Sequence, residues 1–138
     1  MNFELTQEQK MIKEMTQKFA FEELAPESIK RDIEKIWPHE QVRKMAELGL
    51  LGMMVEDTWG GNNMDTISYA IAMEEIAKVD ASAAVIMSVN NSLVCYIFQK
   101  YATDAQKEKY LIPLAKGEKL GCFSLSEPQS GSDASNMA

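Results

Sequence analysis

Near the end of the chain, Ser130-Gly131-Ser132-Asp133 has the residue types of an anion-binding turn. Glycine permits close backbone approach, hydroxyls donate, and successive amides in a tight turn converge on negative charge. The same four residues also make an ordinary polar turn, and their spacing alone does not choose. A second constellation lies mid-chain, where Ser88, Asn90, Asn91 and Ser92 interrupt an otherwise apolar run. Buried amides require hydrogen-bond partners. Either these bond to neighbouring helices and fix the packing, or they border a cavity. In the second case Ile86, Val89 and Leu93, on one stripe, form its apolar wall.

The remaining reactive side chains read as structural. The single histidine, His39, stands among charged residues at a helix start and is expected at the surface. Glu74 and Glu75 fall inside a helix, where one meets solvent and the other makes a hydrogen bond or salt bridge. Cys95 and Cys122 are far apart within apolar segments and form no CxxC pair, so both are expected as buried free thiols in a reducing compartment. The sequence has no Ser-His-Asp arrangement, metal-ligand cluster or Walker loop, and no metal is expected.

The elements that must position these residues are mostly helices. Thr6 and Gln9 form a T-x-x-Q capping box, followed by the stripe Ile12, Met15 and Phe19. Pro26 is expected to break or restart this helix, with a second piece over 26–36. Pro38 suits the first turn of a third helix, with Val42, Met45 and Ala46 inward and Gly49 as its stop. Leu50–Val55 reads as a short extended segment, and Trp59-Gly60-Gly61-Asn62-Asn63 as a loop. Asp65 caps a fourth helix over 66–79, with Ile67, Ala70, Ile71 and Ala77 its apolar residues. Asp80 caps a fifth over 81–101, apolar around much of its circumference and therefore central. Thr103 and Gln106 start a sixth, which Pro113 interrupts and Gly117 ends. Only beyond Gly117 does the period change to alternation, with Cys122, Ser124 and Ser126 on one face and Phe123 and Leu125 on the other. A lone strand has no partner for its backbone groups. The simplest reading is a chain cut inside its second domain.

Composition sets outer limits. The 138 residues fit one domain, and 46% hydrophobic with 25% charged residues is ordinary for a globular protein. A net charge of −7 without a basic stripe argues against nucleic-acid binding. Met1 stands close to the first helix with no basic-then-apolar leader. The longest apolar stretch, around 83–87, is shorter than the roughly 20 residues of a membrane span. A soluble, cytoplasmic protein is expected.

The segment from Phe123 to Asp133, FSLSEPQSGSD, closely resembles the flavin-binding signature of acyl-CoA dehydrogenases, aromatic-x-Leu-(Thr/Ser)-Glu-Pro-x-x-Gly-Ser-Asp. The stretches FELTQEQKMIKE, WGGNNMD, AIAMEEIAKVDAS, IMSVNNSL and KYLIPLAKGEKLG resemble the same family in the same order. IMSVNNSL is similar to the short-chain, butyryl-type branch. Trp59 stands where the family often has Tyr, and Gln129 fills a variable position.

The resemblance implies a mainly α fold: an up-and-down bundle of about six helices over 1–119, then the opening strand and flavin loop of a β-domain over 120–138. It implies FAD, with Phe123, Leu125 and Ser126 along the flavin ring and Gly131 and Ser132 at the pyrophosphate. Ser132 would also lie near the acyl-CoA substrate, and Ile86, Val89 and Leu93 would line the acyl-chain pocket. The implied reaction is α,β-dehydrogenation of a short-chain acyl-CoA to the trans-2-enoyl-CoA, with electron-transferring flavoprotein as next acceptor. The base is a glutamate expected in a C-terminal domain beyond residue 138, so the piece alone is expected to be inactive. The full-length protein is expected to be a homo-oligomer, a tetramer. Two alternatives keep the fold: a non-catalytic helical interaction module, and an oxygen-using flavin acyl-CoA oxidase.

Overall fold

The computed structural model describes residues 4–138. Residues 1–3 lie outside the described residues, and with them the reading of the N-terminus as leaderless and the Phe3 of the opening motif.

Helix α1 (Gln7–Phe19) starts as its sequence dictates. Thr6 Oγ1 accepts from the Gln9 amide at 3.2 Å, and the Gln9 side chain accepts from the Thr6 amide at 3.1 Å. Ile12 and Phe19 are buried from the predicted stripe, each contributing about 1.5–3 kcal/mol. The chain then widens into a π-helical turn (Ala20–Leu24) and tightens into a 3₁₀ turn (Ala25–Glu27). It continues as α2 (Ser28–Glu34), which ends at Lys35 in the left-handed conformation.

Pro26 therefore restarts the helix without ending it, and the expected six helices become five continuous helical stretches of a turn or more beyond 3₁₀ among the described residues. Pro113 shows the same device. It was expected to interrupt its helix, yet α7 (Asp104–Gln106), a π turn (Lys107–Leu111) and α8 (Ile112–Ala115) follow without a break. A proline lacks the N–H and its ring crowds the carbonyl four residues back. For Pro26 and Pro113 those carbonyls belong to Glu22 and Lys109, both inside a widened turn.

Helix α3 (His39–Glu47) closes with a Schellman motif. The Leu50 amide bonds Met45 O and the Gly49 amide bonds Ala46 O, both at 2.9 Å, with Gly49 at φ +73°. Leu50–Val55, expected as extended, forms a run of turns instead. Leu50, Leu51, Met53 and Val55 are buried, and the coil folds back so that Met53 O and Val55 O accept from Met64 and Asn63 at 2.8 Å.

Helix α4 (Thr66–Ala77) packs on α1 through Ser68, Ala72, Glu75 and Ile76, leaving Ile67 exposed. The central helix comprises α5 (Ala81–Ser88), a π stretch (Val89–Cys95) and α6 (Tyr96–Tyr101). Its 21 residues are long and apolar enough to cross a membrane by length and composition, which corrects the expectation from the short run at 83–87. In the bundle one side of it is buried and joins two apolar clusters. One holds Leu24, Met45, Leu51, Ile76 and Met87; the other holds Val55, Val94, Cys95, Leu111 and Leu114. Val85, Leu93, Tyr96, Ile97 and Tyr101 are exposed, so the burial expected around much of its circumference is not reached.

Residues 120–126, where alternation predicts a strand, pair with no strand among the described residues; only a tight bridge between Glu127 and Ser130 follows. Cys122 lies in this stretch and is exposed, correcting its expected burial. Apolar neighbours in sequence bury a thiol only where a second layer covers them.

Candidate functional site

The two asparagines of the central helix settle which of their readings holds. Both are fully buried, and their partners are backbone groups, with the Cys95 sulfur a further contact of Asn90 Nδ2 at 3.7 Å. Asn91 Nδ2 donates to Leu50 O at 2.8 Å and Met87 O at 2.9 Å, while its Oδ1 accepts from the Met53 amide at 2.9 Å. Asn90 Nδ2 donates to Leu51 O at 2.8 Å and Leu114 O at 3.0 Å, and its Oδ1 accepts from the Gly121 amide at 3.0 Å. They fix packing, but against loop coil more than against helices. Two adjacent amides point inward within a π stretch, whose wider turn keeps consecutive side chains on one side.

Ser92 bonds back to Ser88 O at 2.8 Å, so the hydroxyls are satisfied locally. The apolar stripe beside them divides. Ile86 lines an open cleft of about 570 Å³ with Arg31, Trp37 and Asp80; Val89 packs on the second apolar cluster; Leu93 is 40% exposed.

Gly121 begins the second set of candidates. A Cβ there would lie 2.5 Å from Val94 Cγ1, so only glycine lets the chain pass the central helix at this distance. Beyond it the side chains open outward: Phe123 is 46% and Leu125 43% exposed, and Ser126 is exposed. The turn at the end is organised by Ser130, the buried member. Its amide bonds Glu127 O at 3.1 Å and its hydroxyl donates to Asp133 O at 2.5 Å. Gly131 and Ser132 are consequently presented at the surface, and no atom lies within 4 Å of where a Gly131 Cβ would stand. The segment presents apolar side chains, exposed hydroxyls at Ser124, Ser126 and Ser132, and an unobstructed glycine. These features fit a planar aromatic group bearing an anionic tail.

The other titratable groups are structural, as expected. His39 is exposed and meets Trp37 edge-on at 6.3 Å. Glu74 faces solvent, and the Lys78 ammonium bonded to it holds its carboxyl below the usual carboxylate range. Glu75 is buried against Lys78 at 2.8 Å. Burial pushes the Cys95 thiol up to about 12, which keeps it protonated and inert. Arg31 and Asp80, which sequence reasoning passed over as a pair, form a buried ion pair at 2.9 Å; Asp80 also caps α5 at the Ala83 amide. Only the capping role was legible, because the partner lies 49 positions away. Gly121 was missed too, its only signal being its place just before the alternating run.

A helical bundle that closes on an exposed, glycine-bearing segment is the architecture to set beside known proteins. The chain matches the model of the acyl-CoA dehydrogenase N-terminal domain over residues 6–118 and belongs to the acyl-CoA dehydrogenase family, a family of enzymes. It is 40% identical over 134 residues to the short-chain-specific acyl-CoA dehydrogenase of Clostridium acetobutylicum, covering 97% of this chain and 35% of that one. Among solved structures, butyryl-CoA dehydrogenase from Megasphaera elsdenii superposes with a TM-score of 0.93 at 38% identity, over 100% of this chain and 37% of that one. A structure described as electron transferring flavoprotein of Acidaminococcus fermentans contains a chain with a TM-score of 0.94 and 41% identity, matched over 99% of this chain and 36% of that one. The chain thus spans about a third of the length of the relatives it matches.

Proposed function

We propose that this chain is the helical domain and first flavin wall of a dehydrogenase that oxidises short-chain acyl-CoA thioesters to trans-2-enoyl-CoA. Residues 1–119 form the helical domain and 120–138 open the β-domain. The observation that carries the reading is the outward presentation of Phe123, Leu125, Ser126, Gly131 and Ser132 from a segment anchored at Gly121. Bound there, FAD supplies the hydride acceptor of the reaction.

The chain's own residues bind and orient. Phe123 and Leu125 supply an apolar face for the flavin ring, and the Ser126 hydroxyl a hydrogen bond at its polar edge. The Gly131 amide and the Ser132 hydroxyl serve the pyrophosphate, with Ser132 also near the thioester substrate. The family likeness assigns the acyl chain to Ile86 at the open cleft, Val89 beside the second apolar cluster and Leu93 at the surface, the last two within the π stretch that also holds the asparagines. The proton-abstracting glutamate is contributed from outside these residues. Electron-transferring flavoprotein is the next acceptor, and the assembled enzyme is a homotetramer.

The test is anaerobic titration of the full-length protein with acyl-CoAs of increasing length, followed by flavin bleaching. Bleaching strongest at four carbons is expected. No bleaching with any acyl-CoA overturns the reading, and rapid reoxidation by air instead of by electron-transferring flavoprotein redirects it to an oxidase.

A further inference from the structure

We infer that Asn90 is a positioning residue for the flavin-contacting segment, an inference that rests on the function proposed above. Asn90 and Asn91 are a natural internal comparison. Both are buried amides on the same π stretch, and both satisfy three heavy-atom contacts to backbone. Asn91 bonds only to Leu50, Met53 and Met87, all inside the helical domain. Asn90 alone reaches out of it, since its Oδ1 takes the Gly121 amide at 3.0 Å while its Nδ2 holds Leu51 O and Leu114 O.

One side chain therefore fixes three things against each other: the buried loop, the end of α8, and the point where the chain leaves for Phe123, Leu125 and Ser126. Geometry keeps this junction from being replaced by another contact. Gly121 lies against Val94 with no room for a Cβ, so its amide approaches the helix where only the Asn90 oxygen receives it. One residue later, at Cys122, the chain is exposed and makes no ladder among the described residues. The bond at Gly121 is the last tether before the wall, and Val89, the neighbour of Asn90, belongs to the acyl stripe. Through Asn90 the spacing between acyl wall and flavin wall is set on one rigid element.

Asn90→Ala and Asn91→Ala in the full-length holoenzyme separate positioning from stability. Both are expected to lower the unfolding midpoint by similar amounts. Only Asn90→Ala is expected to speed hydrogen exchange at the Gly121 amide and weaken FAD binding, each by roughly tenfold, the scale of one buried hydrogen bond. If Asn90→Ala proves too unstable to purify, Asn90→Ser, whose hydroxyl is too short to span the same partners, gives the same contrast. Equal effects of the two asparagine variants on exchange and on FAD, at matched stability, overturn the inference. If the wild-type protein holds no flavin, the functional reading fails by itself. The exchange contrast at Gly121 then still decides whether Asn90 holds the segment.

Discussion

The coils at 49–64 and 120–138 each carry glycines and one short 3₁₀ turn, yet Gly52 and Gly61 in the first and Gly131 in the second face opposite circumstances. A Cβ on Gly61 would stand 2.1 Å from Val55 O, and one on Gly52 2.5 Å from Ala115 O. A Cβ on Gly131 meets nothing within 4 Å. The first coil is closed: carbonyls and amides of it are taken by Asn90, Asn91 and its own returning segment, and Leu50, Leu51, Met53 and Val55 are buried. The second is tethered at Gly121 and then left open, with large apolar side chains at the surface. Crowding at Gly61 makes glycine a packing requirement there, whereas at Gly131 no packing contact demands it.

Substitutions can break this contrast, beginning with the closed region. Arg31→Met strips the buried Asp80 of its charge partner and is expected to cost about 3–5 kcal/mol in denaturant unfolding. A loss near zero would show that the pair is solvated in practice. Asn91→Ala leaves the Met53 amide and the Leu50 and Met87 carbonyls without their partner and is expected to cost about 3 kcal/mol. Gly61→Ala is expected to cost about 1–3 kcal/mol through overpacking. Gly131→Ala should stay within about 0.5 kcal/mol of wild type while weakening FAD in the full-length protein. Equal destabilisation by the two alanines would erase the distinction drawn above.

Thiol chemistry sharpens the same comparison. In the native 138-residue chain at mildly alkaline pH, a thiol reagent is expected to modify Cys122 at once and Cys95 only after denaturant is added. Two fast equivalents would contradict the burial of Cys95. The smallest effect concerns Asp65, whose carboxyl is held below its ordinary range first by the Ser68 amide it caps. A depressed native pKa contributes stability that is complete above the unfolded value and lost as pH falls through the native one. Asp65→Asn should therefore flatten the stability profile below about pH 4 relative to wild type.

What the sequence made legible was whatever is decided within a few residues. The capping boxes at Thr6 and Thr103, the caps at Asp65 and Asp80, and the Gly49 stop all form as read, because their partners lie three or four positions away. The errors share the opposite cause. Leu50–Val55 reads as extended because an apolar run does not reveal that its backbone will be satisfied by amides 38 to 41 positions later. Pro113 reads as a break because a π turn, which absorbs the proline, has no local composition of its own. At the site, the signature residues were identified by likeness to a family. Their tether to Asn90 is a contact across 31 positions that only the fold supplies.

That tether bears on the order in which the chain can fold as it is synthesised. Asn90 finds its partners at Leu51, Leu114 and Gly121, one long before it and two well after. A nascent chain exposed only to residue 113 has its central helix and most of its apolar cluster, yet carries a buried amide that still lacks two of its three contacts. A chain stopped at residue 119 contains every helix of the domain and leaves the Asn90 oxygen without its donor. The smallest piece that can complete its own interior therefore ends beyond α8, at Gly121 or later.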